Sequence, residues 1–508
     1  KKLSQLTSSC EDYLDYSQEI HPPLSNGNLK LPFQRPLKEC RTFASTAVEK
    51  VILDLLPKFK NQDLARLFEN AFPNTLDTTI LYHKNVQPFE TFVVTGDIHA
   101  QWLRDSTRQL SVYQPLLKYD SLLKKLVKGA INTQANYILA SPYCNAFHPP
   151  INSGVKRQPS TIDTVFPVPN WKHVFECKYE LDSLTSFLTL TTEYFQSTND
   201  YSFVNDNWID AFENILTVLK RESSPTFDSN GNLLPFYYTF QRQTKSSSET
   251  LPLHGTGNPV NFNTNLIRSA FRPSDDSTIF QFLIPSNAHL SVELLKISKI
   301  LTKFEILKKH ADICEKIALN IKNSIYNFAV FNHSSVDNDD NNQVFAYEID
   351  GYGSALFIDD ANLPSLLSLP DMGFLDKNDQ IYLNTRDLIL RNSGNPYYLK
   401  GKYFEGIGGP HIGLNNAWPM SLCVRIRTTD NDEEILRNLD LLLSTTGGLG
   451  LIHESIDVNS KNGLIYTRSW FAWANSEFAK TILDLAERKP HLIFKDEYSS
   501  TLYSIHDS

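Results

Sequence analysis

Apolar residues recur at the three-and-four spacing of an amphipathic helix in many separate segments, while alternating, strand-like runs are few and short. That pattern confines the chain to a mostly α architecture. Helices are predicted over residues 45–58, 101–115, 122–139, 180–195, 208–221, 287–302, 303–328, 433–443 and 469–487. The run Asn205-Asp206-Asn207 offers side-chain oxygens to the orphan N–H groups of the helix that opens near Trp208. Between helices lie long polar segments rich in Gly, Pro and Ser, notably 223–234, 244–260 and 334–343. Loops of that length are unusual in a compact domain unless they build a site. No repeat with the 20–50-residue period of an α-solenoid is present. Helices joined alternately by short turns and long loops fit instead an α/α toroid whose loops gather at one mouth. Residues 1–42, with Pro22-Pro23 and Asn26-Gly27, read as an irregular arm on a single domain spanning 43–508.

Charge and composition remove several function classes. With 48 Lys and Arg against 57 Asp and Glu, the formal charge is −9, which argues against affinity built on phosphate neutralisation and so against nucleic acid as a partner. An apolar fraction of 41% with 21% charged residues supports a large core rather than a disordered chain. No run approaches the roughly 18–20 apolar residues of a membrane span. The chain opens on Lys1 and holds two methionines, Met372 and Met420, so its natural start is expected to be missing, together with any signal peptide or N-terminal anchor. Six cysteines, at 10, 40, 144, 177, 314 and 423, show no zinc-binding spacing. Cys10 with Cys40, or Cys144 with Cys177, would bridge in a secretory lumen; six buried thiols are the alternative. The sequon Asn332-His333-Ser334 also favours a secreted protein or the lumen of the secretory pathway or vacuole.

Ionisable groups embedded among apolar residues need partners, and four stretches concentrate them beside aromatics and glycines. The first, Thr95 to Ser106, sets Asp97, Trp102, Arg104 and Asp105 around the opening of a helix. Arg104 and Asp105 together suit a polyhydroxyl ligand, although a structural ion pair would use the same residues. The second is Phe271-Arg272-Pro273-Ser274-Asp275-Asp276. Ser274 is a good N-cap and both acids would favour a first helical turn; a desolvated carboxyl beside a like charge is also the raised-pKa group that general acid catalysis needs. The third runs from Tyr403 to His411 and on through Asn416-Ala417-Trp418; its glycines let backbone approach a ligand and it lacks either phosphate-loop pattern. The fourth joins Gly450 to Ser455 with Tyr466 to Asn475. His453-Glu454 has no second histidine on the same face, so zinc hydrolysis is unsupported, and Glu454 is left as a base.

Together with Tyr179-Glu180-Leu181-Asp182-Ser183-Leu184 and the run from Asp359 to Leu367, these stretches resemble glycoside hydrolase family 125, the exo-α-1,6-mannosidases, and within it the fungal branch. Six motifs in family order, from Thr95 to Asn475, make the resemblance specific. It implies an all-α (α/α)6 barrel with long loops forming the active-site mouth. It further implies removal of non-reducing terminal α-1,6-linked mannose with inversion, an α-1,6-mannoside oligosaccharide or glycan as partner, and no metal or other cofactor. Carried over by position, the general acid comes from the doublet, with Asp276 the first choice and Asp275 the second, and Glu454 is the base. Arg104, Asp105, Gly408, His411, Arg468 and Trp473 match segments lining the mannose subsite. Ile456 departs from the pattern, standing where an aromatic is expected after His-Glu-Ser. One displacement by water needs the two carboxyls roughly 6.5–9.5 Å apart. The competing readings are another inverting glycosidase on the same barrel and an inactive mannoside-binding protein.

Overall fold

A computed structural model describes residues 10–262, 264–336 and 341–499. The ends of the arm and of the domain (1–9 and 500–508), and positions 337–340 of the polar segment 334–343, lie outside the described residues. Twelve helices of nine residues or more occur among them: α1 (Thr46–Leu55), α2 (Gln62–Ala71), α3 (Leu103–Ser111), α4 (Ser121–Ala140), α5 (Leu181–Thr198), α6 (Asp206–Glu222), α7 (Ile284–Leu301), α8 (Lys308–Phe328), α9 (Gln380–Ile389), α10 (Pro419–Arg427), α11 (Asp432–Ser444) and α12 (Ala472–Arg488).

All of them but α1 form two concentric layers. In the inner ring α3 packs on α5, α5 on α7, α10 on α12, and α12 closes back on α3. The turn-rich segment 363–374 holds the interval between α7 and α10: Arg427 of α10 donates to both oxygens of Asp371 (3.2 and 3.0 Å), and Phe374 stacks on Tyr326 of α8. Helices α2, α4, α6, α8, α9 and α11 make the outer layer of this (α/α)6 barrel.

The two layers differ in sequence for a physical reason. Outer α6 buries one stripe, Trp208, Ala211, Phe212, Ile215, Val218 and Leu219, and turns polar residues to water. Inner α5 is buried almost all round, so its period blurs. It fills that position with Ser and Thr, whose hydroxyls bond back to their own helix, as Ser186 Oγ does to the Asp182 carbonyl (2.6 Å). The ends differ too. Ser45, Asn61, Asp120, Asn205, Asp379 and Asn431 each cap a helix of the outer wall or α1 with a side-chain oxygen. The inner helices start behind Trp102, Glu180, Leu283, Trp418 and Phe471, none of which makes a side-chain cap.

Several boundaries shift from expectation. The helix expected from 101 begins at Leu103 because Gln101 and Trp102 pair with Phe147 and Ala146 in a short ribbon. No helix starts at Ser274: the chain there is a tight turn, and α7 opens only at Ile284, with Pro285 in its first turn. Pro57 ends the first helix early, in a single 3₁₀ turn. No helix among the described residues is long and apolar enough to cross a membrane.

Residues 10–42 run over the barrel without a long helix. A Cys10–Cys40 disulfide closes this segment, and Arg35 is clamped between Glu49 and Asp77. Ser17 Oγ meets Ser469 Oγ at 2.8 Å and Tyr13 packs edge-on to Trp470, so the arm braces the strand-like stretch just before α12. A second disulfide joins Cys144 to Cys177, while Cys314 and Cys423 are buried thiols.

The capping asymmetry is testable at α6, where Asn205 Oδ1 accepts from Trp208 N at 2.9 Å. Asn205→Ala is expected to cost about 1 kcal/mol in chemical denaturation, with the mouth of the barrel unaffected.

Candidate active site

Because the inner helices all begin at the same end of the barrel, the residues just before and after their first turns meet there. Arg104 and Asp105 open α3, Glu180 and Asp182 flank the start of α5, Trp418 precedes α10, and Arg468 and Phe471 precede α12. A cavity at this end is lined by Arg104, Asp105, Asp275, His411, Glu454, Arg468 and Trp473 together with smaller groups. A larger cavity of about 480 Å³, beneath the 247–258 loop, contains no carboxylate in its walls. Chemistry rather than volume therefore marks the site.

Arg104 is the centre of its electrostatics. The side chain is 3% exposed, and its guanidinium faces Glu180, Asp105 (3.0 Å), Asp182 (3.3 Å) and Asp275 (3.4 Å) while lying 5.5 Å from the Trp473 ring. Burial works against the charge, but the four carboxyls outweigh it and hold the guanidinium well above its ordinary pKa. The carboxyls are affected unequally. Burial pushes Asp105 and Asp182 each up to about 6 despite Arg104, and pushes Glu180 well above the carboxylate range with help from the Asp275 charge. Arg104 Nε and Asp105 Oδ1 are close but misaligned for a hydrogen bond, and neither has another protein partner. Three further lining atoms are buried without partners: Thr95 Oγ1, Trp102 Nε1 and Trp418 Nε1. Buried polar atoms ordinarily find partners, so these three unpaired ones, beside the misaligned Arg104–Asp105 pair, mark where a ligand rich in hydroxyls can bond.

The doublet divides in two directions. Residues 271–277 close a turn in which Arg272 N donates to the Asp276 carbonyl (2.7 Å) and Asp275 N to the Arg272 carbonyl (2.9 Å). Asp275 sits at φ 68°, in the left-handed region that costs a non-glycine residue roughly 1 kcal/mol. This aims its side chain into the cavity, toward Arg104 and Asn145 Nδ2 (3.3 Å), while Lys178 Nζ holds its carbonyl at 2.8 Å. Asp276 turns away. It is 1% exposed, accepts from Ser274 Oγ at 3.0 Å, and stands 3.5 Å from His411 Nδ1. Burial lowers the His411 pKa, but Asp276, with Asp275 and Glu454 beyond it, raises it to about 9, so the imidazolium persists at neutral pH.

Glu454 faces the cavity from the loop before α12. Its Oε1 accepts from Thr467 Oγ1 (2.9 Å) and its Oε2 pairs with Arg468 Nη1 (3.2 Å); Arg468 Nε reaches Asp97 at 3.6 Å. The adjoining His453 is structural: it stacks on Tyr466 and lies within hydrogen-bond reach of the Thr446 carbonyl. Ile456 is buried in the core, paired with Ala417 in a two-strand ribbon, and does not line the cavity.

Of the residues singled out by sequence, Asp275, Glu454, Arg104, Asp105, His411, Arg468 and Trp473 come together here. Two do not. Asp276, the first choice for donor, is displaced from the lining by the left-handed turn at Asp275. Gly408 lies behind it, where a Cβ would come within 2.6 Å of the Asn416 carbonyl, so its role is close backbone packing. Asn145, which contacts Glu176, Glu180 and Asp275, carried no sequence signal beyond its place after Cys144. Among the described residues no three His, Cys, Asp or Glu side chains are arranged to hold a metal ion.

A family model for metal-independent alpha-mannosidases (GH125) matches residues 61–483. Over 491 residues the chain is 51% identical to the Meiotically up-regulated gene 157 protein of Schizosaccharomyces pombe (strain 972 / ATCC 24843), spanning 96% of this chain and 95% of that one. Among solved structures, a metal-independent alpha-mannosidase from Streptococcus pneumoniae, in a non-productive complex with alpha-1,6-mannobiose, is 31% identical. It superposes with a TM-score of 0.76 over 87% of this chain and 99% of that one.

Removing the central cation should expose how much the mouth depends on it. Arg104→Met is expected to cost about 3–5 kcal/mol in urea denaturation at pH 7. Without Arg104 the surrounding carboxyls bind protons more tightly when folded than when unfolded, so the deficit should shrink as pH falls from 7 to 5.

Proposed function

The chain belongs to the metal-independent alpha-mannosidases of glycoside hydrolase family 125, and from that premise we propose that it removes non-reducing terminal α-1,6-linked mannose with inversion. Asp275 is the general acid and Glu454 the general base. The observation that carries this reading is that both carboxyls line one cavity whose remaining walls offer three unpartnered hydrogen-bonding atoms. The alpha-1,6-mannobiose in the Streptococcus pneumoniae relative supports the linkage.

The chemistry follows from the placement. Mannose enters with its hydroxyls toward Asp105, Thr95 and the two indole N–H groups, and Trp473 and Phe471 supply apolar wall. Asp275 gives a proton to the glycosidic oxygen as the C1–O bond breaks. Glu454 takes a proton from a water that attacks the opposite face of C1, and one displacement inverts the centre. Arg468 beside Glu454 keeps that carboxylate oriented, and the Asp276–His411 pair fixes the far side of the doublet. The two disulfides and the exposed Asn332 of the sequon support a secreted, secretory or vacuolar location.

A proton NMR time course on α-1,6-mannobiose tests the whole reading. The expected first product is β-mannose; α-mannose first would exclude a single displacement, and no hydrolysis would favour a binding protein. Asp275→Asn and Glu454→Gln should each lower kcat by at least about 10²–10⁴-fold, whereas Asp276→Asn should retain most turnover. The opposite order within the doublet would transfer the acid role to Asp276.

A further inference from the structure

Glu180 is buried at the first inner-ring N-cap after α3 and takes no part in the steps above. Its position relative to Asp275 is unusual for two carboxyls. Arg104 reaches Glu180 with Nη1 and Asp275 Oδ1 with Nη2. Asn145 Nδ2 lies 3.1 Å from Glu180 Oε1 and 3.3 Å from Asp275 Oδ1. Asn145 Nδ2, common to these two oxygens, and Arg104, which reaches Glu180 through its other oxygen, bring the two carboxyls together, where a pair of ionised carboxylates would repel and a carboxylic acid with a carboxylate would bond.

Among the described residues, the cations around the pair other than Arg104 are each engaged by another group as well. Lys178 faces Glu176 at 3.8 Å, which Arg242 also contacts, and spends its hydrogen bond on the Asp275 carbonyl. Arg468 is engaged by Glu454 and His411 by Asp276. Arg104 faces Asp105, Glu180, Asp182 and Asp275, so four carboxyls share one guanidinium, with further positive charge from Arg468 near Asp105 and from Lys178 and His411 near Asp275.

We propose that Glu180 is a positioning residue for the general acid: it holds one proton in common with Asp275 and passes it across when the glycosidic oxygen draws on it. This rests on Asp275 being the acid. It also answers a difficulty in that assignment. Burial would raise Asp275, but Arg104, the Glu180 hydrogen bond, Lys178 and His411 outweigh it and hold Asp275 below the usual carboxylate range, while Glu180 is pushed well above it. Alone, Asp275 would be ionised at neutral pH and have no proton to give; in the unliganded site the proton rests on Glu180. In turnover the Glu180 O–H bond breaks as an Asp275 O–H bond forms. That proton then moves to the leaving oxygen, which keeps the electron pair of the broken C1–O bond. The pair, now doubly ionised beside Arg104, regains one proton from solvent, and Glu454 returns to solvent the proton it took from water.

The test compares two substrates across pH: α-1,6-mannobiose, whose leaving alcohol needs a proton, and a dinitrophenyl α-mannoside, whose leaving group does not. In the unaltered protein, kcat/KM for mannobiose should hold through neutral pH and fall only above it, with no such limb for the aryl mannoside. A mannobiose limb already descending in the ordinary carboxylate range, roughly pH 4–5, would overturn the proposal without any variant. Glu180→Gln should lower mannobiose kcat/KM at pH 7 by about 100-fold, move its basic limb at least one unit toward acid, and leave the aryl mannoside within about fivefold. Equal losses on both substrates with an unmoved limb would mean that Glu180 serves packing alone. Asp275→Asn separates the two readings: full mannobiose turnover in that variant removes Asp275 as acid, whereas a loss there with no effect of Glu180→Gln removes only the proton sharing.

Discussion

One buried guanidinium holds the mouth of this barrel together. Arg104 meets four carboxyls from three parts of the chain: Asp105 beside it on α3, Glu180 and Asp182 at the start of α5, and Asp275 from the turn before α7. Each contact ties one inner helix, or the loop leading to it, to a common point. The arrangement is charge-deficient by design of its placement, since one cation cannot neutralise four anions away from water. Burial favours the protonated forms, and it raises Asp105 and Asp182 to about 6 and Glu180 higher despite Arg104.

Helix ends supply the rest of the field. The inner helices open toward the cavity behind residues that provide no cap; their first N–H groups bond to neighbouring loops, as Leu103 N does to the Asn145 carbonyl and Ala472 N to the Thr95 carbonyl, and the positive ends of their dipoles lie at the mouth. Asp105 and Asp182 lie in first turns, where that polarity favours an anion. Outer helices have their N-termini at the other side of each hairpin, and all of them but α8 close with Asn or Asp. Barrel topology thus places side-chain caps on most outer helix starts and the candidate site at the uncapped inner ones.

This separation also decides how much was legible beforehand. Outer helices with one apolar stripe and a polar cap, such as α4, α6 and α11, were readable to within about two residues from spacing alone. Helices α2, α9 and α10 were not: all are short, and α10 begins at Pro419 directly behind the pocket tryptophan. Most of the site was legible because ionisable and aromatic residues next to glycine have few structural uses. The partner relations were not. Nothing local tells that Glu180 and Asp275, 95 positions apart, share Arg104 and Asn145, because that proximity is a property of ring closure.

The doublet shows the limit most sharply. Two adjacent aspartates read as interchangeable, and the capping signal at Ser274 suggested both would face the first turn of a helix. The chain instead makes a tight turn, and a single left-handed residue swings Asp275 into the cavity while Ser274 and His411 retain Asp276 behind it. Strain of this kind survives only where surrounding contacts over-determine it. Here Lys178 on the Asp275 carbonyl, Arg104 and Asn145 on its carboxyl, and the backbone bonds between Arg272 and Asp276 do so. A turn that merely connected β-ribbon and helix would relax by using glycine at position 275. Keeping a carboxyl at a backbone conformation that disfavours it makes sense if the carboxyl, and not the turn, is what the loop exists to present.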